Sequence, residues 1–361
     1  MATPLDLEAD VVDLLRQLVD TPSVSGDEQT IADLVEQALR PYPHLVVSRF
    51  GNVVVARTEL GRPERVVVAG HLDTVPIADN VPSRVTESDG RTLVWGRGAC
   101  DMKGGVAAQL SAAAVLTAPR RDVTWIFYDN EEVEAHLNGL SLLAASHPEH
   151  LDAVFAVLCE PSNARIEGGC QGTMRVVVEL TGVAAHSARS WKGHNAIHDA
   201  GPVLQALAAH QPLEVDVDGL IYREGLNAVR VSGGIAGNII PDRCVVEVNY
   251  RFAPDKSPEQ AEAYVRRVLD GFPVRVTDAA PGARPGLDQP AAAEFLAAVG
   301  GEPSAKFGWT DVARFSARGV PAVNFGPGDP GKAHADDEFC PGDEVVSCRD
   351  ALVRWLGGTR T

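Results

Sequence analysis

The 361-residue sequence has little positive charge: 32 Lys and Arg stand against 49 Asp and Glu, a formal net charge of −17. Nucleic acids and anionic membranes both need a basic face, so neither is an expected partner. There is no apolar run of about 18 residues, which argues against a membrane-spanning helix. Met1-Ala2-Thr3-Pro4-Leu5-Asp6 has neither the basic start nor the apolar stretch of an export signal. The six cysteines, Cys100, Cys159, Cys170, Cys244, Cys340 and Cys348, include no Cys-x-x-Cys pair, so zinc-ribbon and dithiol readings fail. Reduced thiols in a cytoplasmic protein are expected. The phosphate-loop pattern ending in Gly-Lys-Ser/Thr is missing too, as are internal repeats and low-complexity tracts.

What is present is an ordinary globular composition, 45% hydrophobic and 22% charged, in a chain long enough for about two domains. Residues 6–19 and 28–40 carry helical periodicity, with Asp27 as a candidate cap for the second helix. Short apolar runs at Val53–Ala56, Val66–Ala69, Val123–Phe127 and Val154–Leu158 read as buried strands, alternating with helices near 104–117 and 135–145. That alternation predicts an α/β domain with a mostly parallel sheet. From about residue 174 the order becomes βαββαβ, a ferredoxin-like α+β module. The expected plan is therefore a catalytic α/β domain in two pieces, 1–173 and 284–361, interrupted by an inserted domain at 174–283.

The chemistry-bearing residues sit where strands end, the usual place for a site in an α/β sheet. Val66–Ala69 runs into Gly70-His71-Leu72-Asp73, in which Asp73 can support the His71 imidazole from behind and fix its tautomer for a metal. A glycine-rich tract, Trp95-Gly96-Arg97-Gly98-Ala99-Cys100-Asp101-Met102-Lys103-Gly104-Gly105, constrains the backbone around Asp101. Val123–Phe127 leads to Asn130-Glu131-Glu132, and Val154–Leu158 to Cys159-Glu160-Pro161. His334 lies in the loop Gly326–Glu338, with no apolar face to bury against. Singly, each tract could be a solvated strand end or a turn. Together His71, Asp101, Glu132, Glu160 and His334 supply one bridging carboxylate and a His/carboxylate pair for each of two metals, a donor set that suits Zn²⁺. Glu131 is left to take a proton from water and deliver it to a leaving nitrogen. Cys100 and Cys159, each next to a ligand in sequence, read as small buried hydrophobes.

These segments, in this order and spacing, resemble the dinuclear-zinc metallopeptidase family of aminoacylases, glutamate carboxypeptidases, deacetylases and desuccinylases. The resemblance implies that His71 and Glu160 hold one zinc, that Glu132 and His334 hold the other, and that Asp101 bridges them. It also implies that Glu131 is the general base, that a cis peptide follows Asp101, and that Co²⁺ can substitute for Zn²⁺. An inserted domain that dimerises is a further implication. In Gly182-Val183-Ala184-Ala185-His186-Ser187-Ala188, His186 would then stabilise the oxyanion in the partner subunit's site, with His194 and His198 as competitors.

Within the family, Lys306–Phe315 and Asn324–Asp329 are most similar to the actinobacterial-type enzymes that hydrolyse N-succinyl-LL-2,6-diaminopimelate to succinate and LL-2,6-diaminopimelate. Proteobacterial members differ at Phe307-Gly308-Trp309-Thr310. An N-acetylornithine deacetylase, another N-acyl amino acid hydrolase and a dipeptidase are the competing readings. A small anionic N-acyl amino acid needs fixed cations, and Arg175, Arg251 and Arg314 are the candidates, with Asn238 and Thr310 beside them.

Overall fold

The apolar runs that read as strands form the middle of one eight-stranded sheet. In the computed structural model, which describes residues 3–357, Asp122–Tyr128, Arg65–His71, Phe155–Leu158 and Ala322–Asn324 lie side by side and parallel. Val53–Arg57 and then Val46–Phe50 extend one edge antiparallel. Glu167–Gly168 pairs antiparallel with Ala322–Asn324 on the other side. All seven residues of Asp122–Tyr128 are buried, the expected pattern for a parallel strand covered on both faces.

The covering helices explain that burial. Gly104–Val115 buries all but its last residue, and its run of Gly and Ala lets it lie between neighbours. It packs against Val11–Val19 and Gly342–Gly357. Phe155, Phe295, Phe325 and Trp355 meet edge-on or tilted at centroid distances of 4.8–5.9 Å. A small three-stranded sheet is made of Phe339–Pro341, Arg91–Trp95 and Arg84–Ser88. No helix of the described residues is long and apolar enough to cross a membrane.

The chain divides into two compact units. The first runs to Gly168 and includes Gly286–Ser304 and Arg314 onward; the second is Gly169–Pro285 with Ala305–Ala313. The second unit holds an antiparallel sheet ordered Gly225–Gly233, Arg243–Phe252, Gly172–Thr181, Val274–Ala280. Along Arg243–Phe252 burial alternates residue by residue. The inward set, with Val246, Val248 and Tyr250, packs with Ala200 and Val203 of helix Ala196–Ala209 and Val265 of helix Pro258–Val268. Thr310 is tied to this unit by its carbonyl, which accepts from the Cys170 thiol at 3.7 Å.

Three local expectations change. The first helix starts only at Val11, where the Asp10 side chain caps the Val12 amide. The second helix begins after Glu28 rather than Asp27, and Glu28 makes no side-chain cap to it, because its carboxylate turns inward. Two hairpins lack the apolar runs that mark the other strands: Arg84–Ser88 with Arg91–Trp95, and Glu214–Val217 with Leu220–Arg223. Each turns through an Asp-Gly pair at positive φ, Asp89-Gly90 and Asp218-Gly219, as a tight two-residue hairpin requires.

Candidate metal centre

His71 is the last residue of its parallel strand, and Glu160 lies two residues beyond Phe155–Leu158. The two strands are hydrogen-bonded neighbours, so their ends emerge together. Glycine allows the next approach. A Cβ on Gly105 would stand 2.1 Å from the Cys159 carbonyl oxygen, and one on Gly326 would stand 2.3 Å from the same atom. The helix that follows Asp101 and the loop that leads to His334 can therefore both press against the backbone that carries Glu160.

Asp101 sits in the irregular turn Ala99–Lys103, and the peptide after it is cis. This turn is held from behind by Glu338, a buried acid that the sequence reading left without a role. One Glu338 oxygen accepts from the Cys100 and Asp101 amides at 3.0 and 3.1 Å, and the other pairs with buried Arg97 at 2.9 Å. Burial raises the Glu338 pKa, and those amides oppose it. Lys103 is buried as well and donates to the Thr21 carbonyl at 2.8 Å. An arginine inside a glycine tract and a lysine at a buried helix start were the available signals; nothing in the spacing pointed to Glu338.

The Asp101 carboxylate faces two histidines with its two oxygens. Its Oδ1 lies 3.2 Å from His71 Nε2 and its Oδ2 lies 3.4 Å from His334 Nε2. His334 Nε2 is also 2.9 Å from Glu132 Oε1. Ligand atoms of His71, Asp101 and Glu160 lie within 4.8 Å of one another, and so do those of Asp101, Glu132 and His334 and those of His71, Glu131 and Glu132; the first two groups meet at Asp101. Two donor groups thus share one carboxylate, an arrangement that fits two nearby divalent cations. The electrostatics agree. Burial alone would lower the His71 pKa, but Asp101 and Asp73 raise it well above the usual imidazole value. Asp101 and Glu132 lift His334 to about 10. Burial works against the Asp101 anion, yet the two imidazoles hold its pKa below the usual carboxylate range. A field that draws a proton onto both rings is a field that would draw a cation between them.

Asp73 has a wider task than supporting His71. His71 Nδ1 lies nearer the Asp73 carbonyl oxygen, at 3.0 Å, than its carboxylate, at 3.4 Å. The carboxylate instead accepts from the Glu131 amide at 3.0 Å, the Glu132 amide at 3.1 Å and the Ser25 hydroxyl at 2.8 Å. Its fully buried position would raise its pKa, and His71 with the two amides brings it below normal. Cys100 and Cys159 are buried free thiols. Burial raises both, so neither is poised as a nucleophile.

Residues 67–357 match Peptidase family M20/M25/M40. The chain belongs to that family. It is 52% identical over 98% of its length to a Mycobacterium tuberculosis protein that carries the name succinyl-diaminopimelate desuccinylase DapE, all of which is covered. It is 48% identical over 98% of its length to the succinyl-diaminopimelate desuccinylase of Corynebacterium glutamicum, of which 97% is covered. Among solved structures, a Staphylococcus aureus tripeptidase superimposes with a TM-score of 0.78 at 20% identity, covering 98% of both chains. Bacillus subtilis YXEP, a dinuclear metal-binding peptidase of the M20 family, gives 0.70 at 17% identity over 96% of both. At those identities the structural likeness establishes the shared fold.

In the second unit, Arg175 is exposed and Arg251 half-buried on the outer sheet face. Asn249 pairs with Arg175 across the strands, so Arg251 is its diagonal neighbour on the same face. Burial and the nearby Arg175 charge both lower the Arg251 pKa. His186 is exposed and paired in register with Ile239, next to exposed Asn238, whose carbonyl accepts from the Ser187 amide. His194 is bound to Asp199 at 2.6 Å, and His198 is exposed on helix Ala196–Ala209. Thr310 is buried in the second unit; Arg314 is half-buried in the first, on helix Val312–Ser316.

Proposed function

We propose that this chain hydrolyses N-succinyl-LL-2,6-diaminopimelate to succinate and LL-2,6-diaminopimelate, in the diaminopimelate branch of lysine biosynthesis in the cytoplasm. The observation that carries the reading is 48% identity, over nearly the whole of both chains, to the C. glutamicum succinyl-diaminopimelate desuccinylase. The donor set supports it, because the carboxylates and imidazoles needed for two metals lie within reach of one another.

In this reading His71 and Glu160 would hold one Zn²⁺ and Glu132 and His334 the other, with the Asp101 carboxylate, which faces both histidines, shared between them. When bound, such a pair polarises a carbonyl and makes water a stronger acid. Glu131 takes the proton of the attacking water and returns it to the leaving amine nitrogen. Asp73 keeps the Glu131 backbone in place through its amide. His186 donates to the oxyanion. Its Nδ1 accepts from the Ala188 amide at 3.0 Å, so the neutral ring carries its proton on Nε2, the nitrogen free to donate. Arg175, Arg251 and Arg314 hold the substrate carboxylates, with Asn238 and Thr310 beside them.

Action of His186 in trans requires a homodimer. The strand Gly225–Gly233 is an edge strand, and it exposes Val229 and Val231; Ile235, just beyond it, is 85% exposed, and Trp191 of the same unit is 78% exposed. An apolar sheet edge of this kind is normally covered. The deciding experiment compares kcat/KM for N-succinyl-LL-diaminopimelate and N-acetylornithine with added Zn²⁺. The succinyl substrate is expected to be preferred by orders of magnitude, and a preference for N-acetylornithine would overturn the substrate assignment. Chelation should abolish turnover, and Zn²⁺ or Co²⁺ should restore it; turnover indifferent to EDTA would reject the metal reading.

A further inference from the structure

Adjacent glutamates at 131 and 132 must do different work, although consecutive like charges on a mobile turn would exchange places freely. The backbone here is held by every amide it has. The Asn130 amide donates to Glu28 Oε1 at 3.2 Å, the Glu131 amide to Asp73 Oδ1 and the Glu132 amide to Asp73 Oδ2. Asn130 has φ of +56°. Successive amides next to a left-handed residue form a concavity that binds anions. In this molecule the concavity is filled by two of the protein's own carboxylates.

Glu28 reaches this turn from a strap between the first two helices, Thr21–Glu28. The strap lies along the His71 strand end, with Val24 bridged in parallel to Thr74. Ser23 Oγ donates to the Leu72 carbonyl at 2.7 Å, the Thr74 amide donates to the Ser23 carbonyl at 2.9 Å, and the Ser25 amide returns to the Thr74 carbonyl at 3.1 Å. Ser25 Oγ donates to Asp73 Oδ2 at 2.8 Å. Gly26, at φ +91°, turns the chain so that its amide meets Glu28 Oε1 at 2.9 Å. Glu28 is fully buried and Ser25 half-buried. The strap therefore touches two strand ends of the site, that of Arg65–His71 through Asp73 and that of Asp122–Tyr128 through Asn130.

We propose that Glu28 and Ser25 are positioning residues for the proton-transferring Glu131: from one strap they fix the Asn130–Glu132 turn, so that the Glu131 carboxylate is held in place beside His71 and Glu132. This rests on the assignment of Glu131 as base. A displacement of about 1 Å in a reacting group can cost on the order of 10² in rate, and that sets the expected scale.

The test is steady-state kinetics on N-succinyl-LL-diaminopimelate with the zinc-loaded enzyme, alongside metal content and melting temperature. Glu28→Ala should lower kcat about 10- to 100-fold, leave KM within about threefold and keep the wild-type metal content. Glu28→Gln keeps an acceptor oxygen and the side-chain shape, and should recover kcat to within a few-fold. Ser25→Ala, which removes one hydroxyl, should lower kcat a few-fold and serves as the readout if Glu28→Ala does not fold. Wild-type kcat in Ser25→Ala together with wild-type kcat in any folded Glu28→Ala would overturn the proposal. So would a kcat loss that tracks loss of metal and is not recovered in Glu28→Gln. Glu131→Gln is run in parallel. If it stays active, the base assignment has failed; if it is inactive while Ser25→Ala and Glu28→Ala are both fully active, only the positioning role has failed.

Discussion

The two units carry nominated residues of opposite character. In the first unit, His71, Asp73, Asp101, Glu132 and His334 bind one another or the backbone of the same loops, and most are withdrawn from solvent. In the second, Arg175, His186 and Asn238 are exposed, and Arg251 shares its sheet face with a like charge. Groups in the first cluster define each other's positions before any ligand arrives. In the second, two arginine charges share one sheet face, and like charges are costly to concentrate. If, as proposed, the second unit's arginines hold substrate carboxylates, substitutions of those arginines and of the first-unit cluster should fail in different kinetic parameters.

The largest effect is expected at Glu131. It is the carboxylate next to the donor set whose backbone, but not whose assigned role, depends on Asp73. Glu131→Gln keeps the shape and removes the proton acceptor, so kcat should fall on the order of 10²–10⁴-fold with metal content unchanged. Metal analysis and single-turnover hydrolysis check both halves. Loss of metal along with activity would mean that Glu131 is a ligand, and the division of labour between 131 and 132 would be wrong.

A smaller and differently placed effect is expected in the second unit. Arg251→Ala should raise KM about 10- to 100-fold, the scale of one charged hydrogen bond, with kcat changed little. Arg175→Ala should act in the same direction. A substrate analogue that lacks the succinyl carboxylate would sharpen the comparison, because only the arginine that meets that carboxylate should then become silent. A pure kcat defect in either variant would place these arginines with the catalytic groups instead.

How far the sequence could be read follows the same contrast. The α/β order was legible because parallel strands are short apolar runs followed at once by acids or glycine, as at Val66–Asp73. The donor residues stood out only in combination, because histidines and acids follow several strand ends of one chain; singly, each could be solvated. Half-exposed antiparallel pairs such as Arg84–Ser88 with Arg91–Trp95 have no apolar run, and Asp89-Gly90 is their one local mark. Glu338 and Glu28 were illegible for another reason. They are acids in polar loops, indistinguishable in sequence from solvated ones, and only the tertiary fold turns them inward to cap amides at residues 100–101 and 130. Supporting groups of this kind act on backbone brought from far along the chain, so no local spacing marks them.

The smallest effect concerns protons rather than turnover. In the metal-free chain the His334 pKa is raised to about 10 by Asp101 and Glu132. A folded-state pKa above the unfolded value near 6.5 means stability that is complete below about pH 6.5 and lost as pH rises toward 10. His334 is half exposed, so solvent screening keeps the contribution modest. When a metal takes the ring nitrogen, that proton must leave first, so metal affinity should rise with pH across the same window. Melting curves of chelated and zinc-loaded protein between pH 6.5 and 10 should therefore diverge, the chelated form weakening toward the alkaline end. His334→Ala should flatten that slope in the chelated form, whereas Arg175→Ala in the second unit should leave it in place. An unchanged slope in His334→Ala would show that the exposed imidazole is not the group through which metal and proton compete.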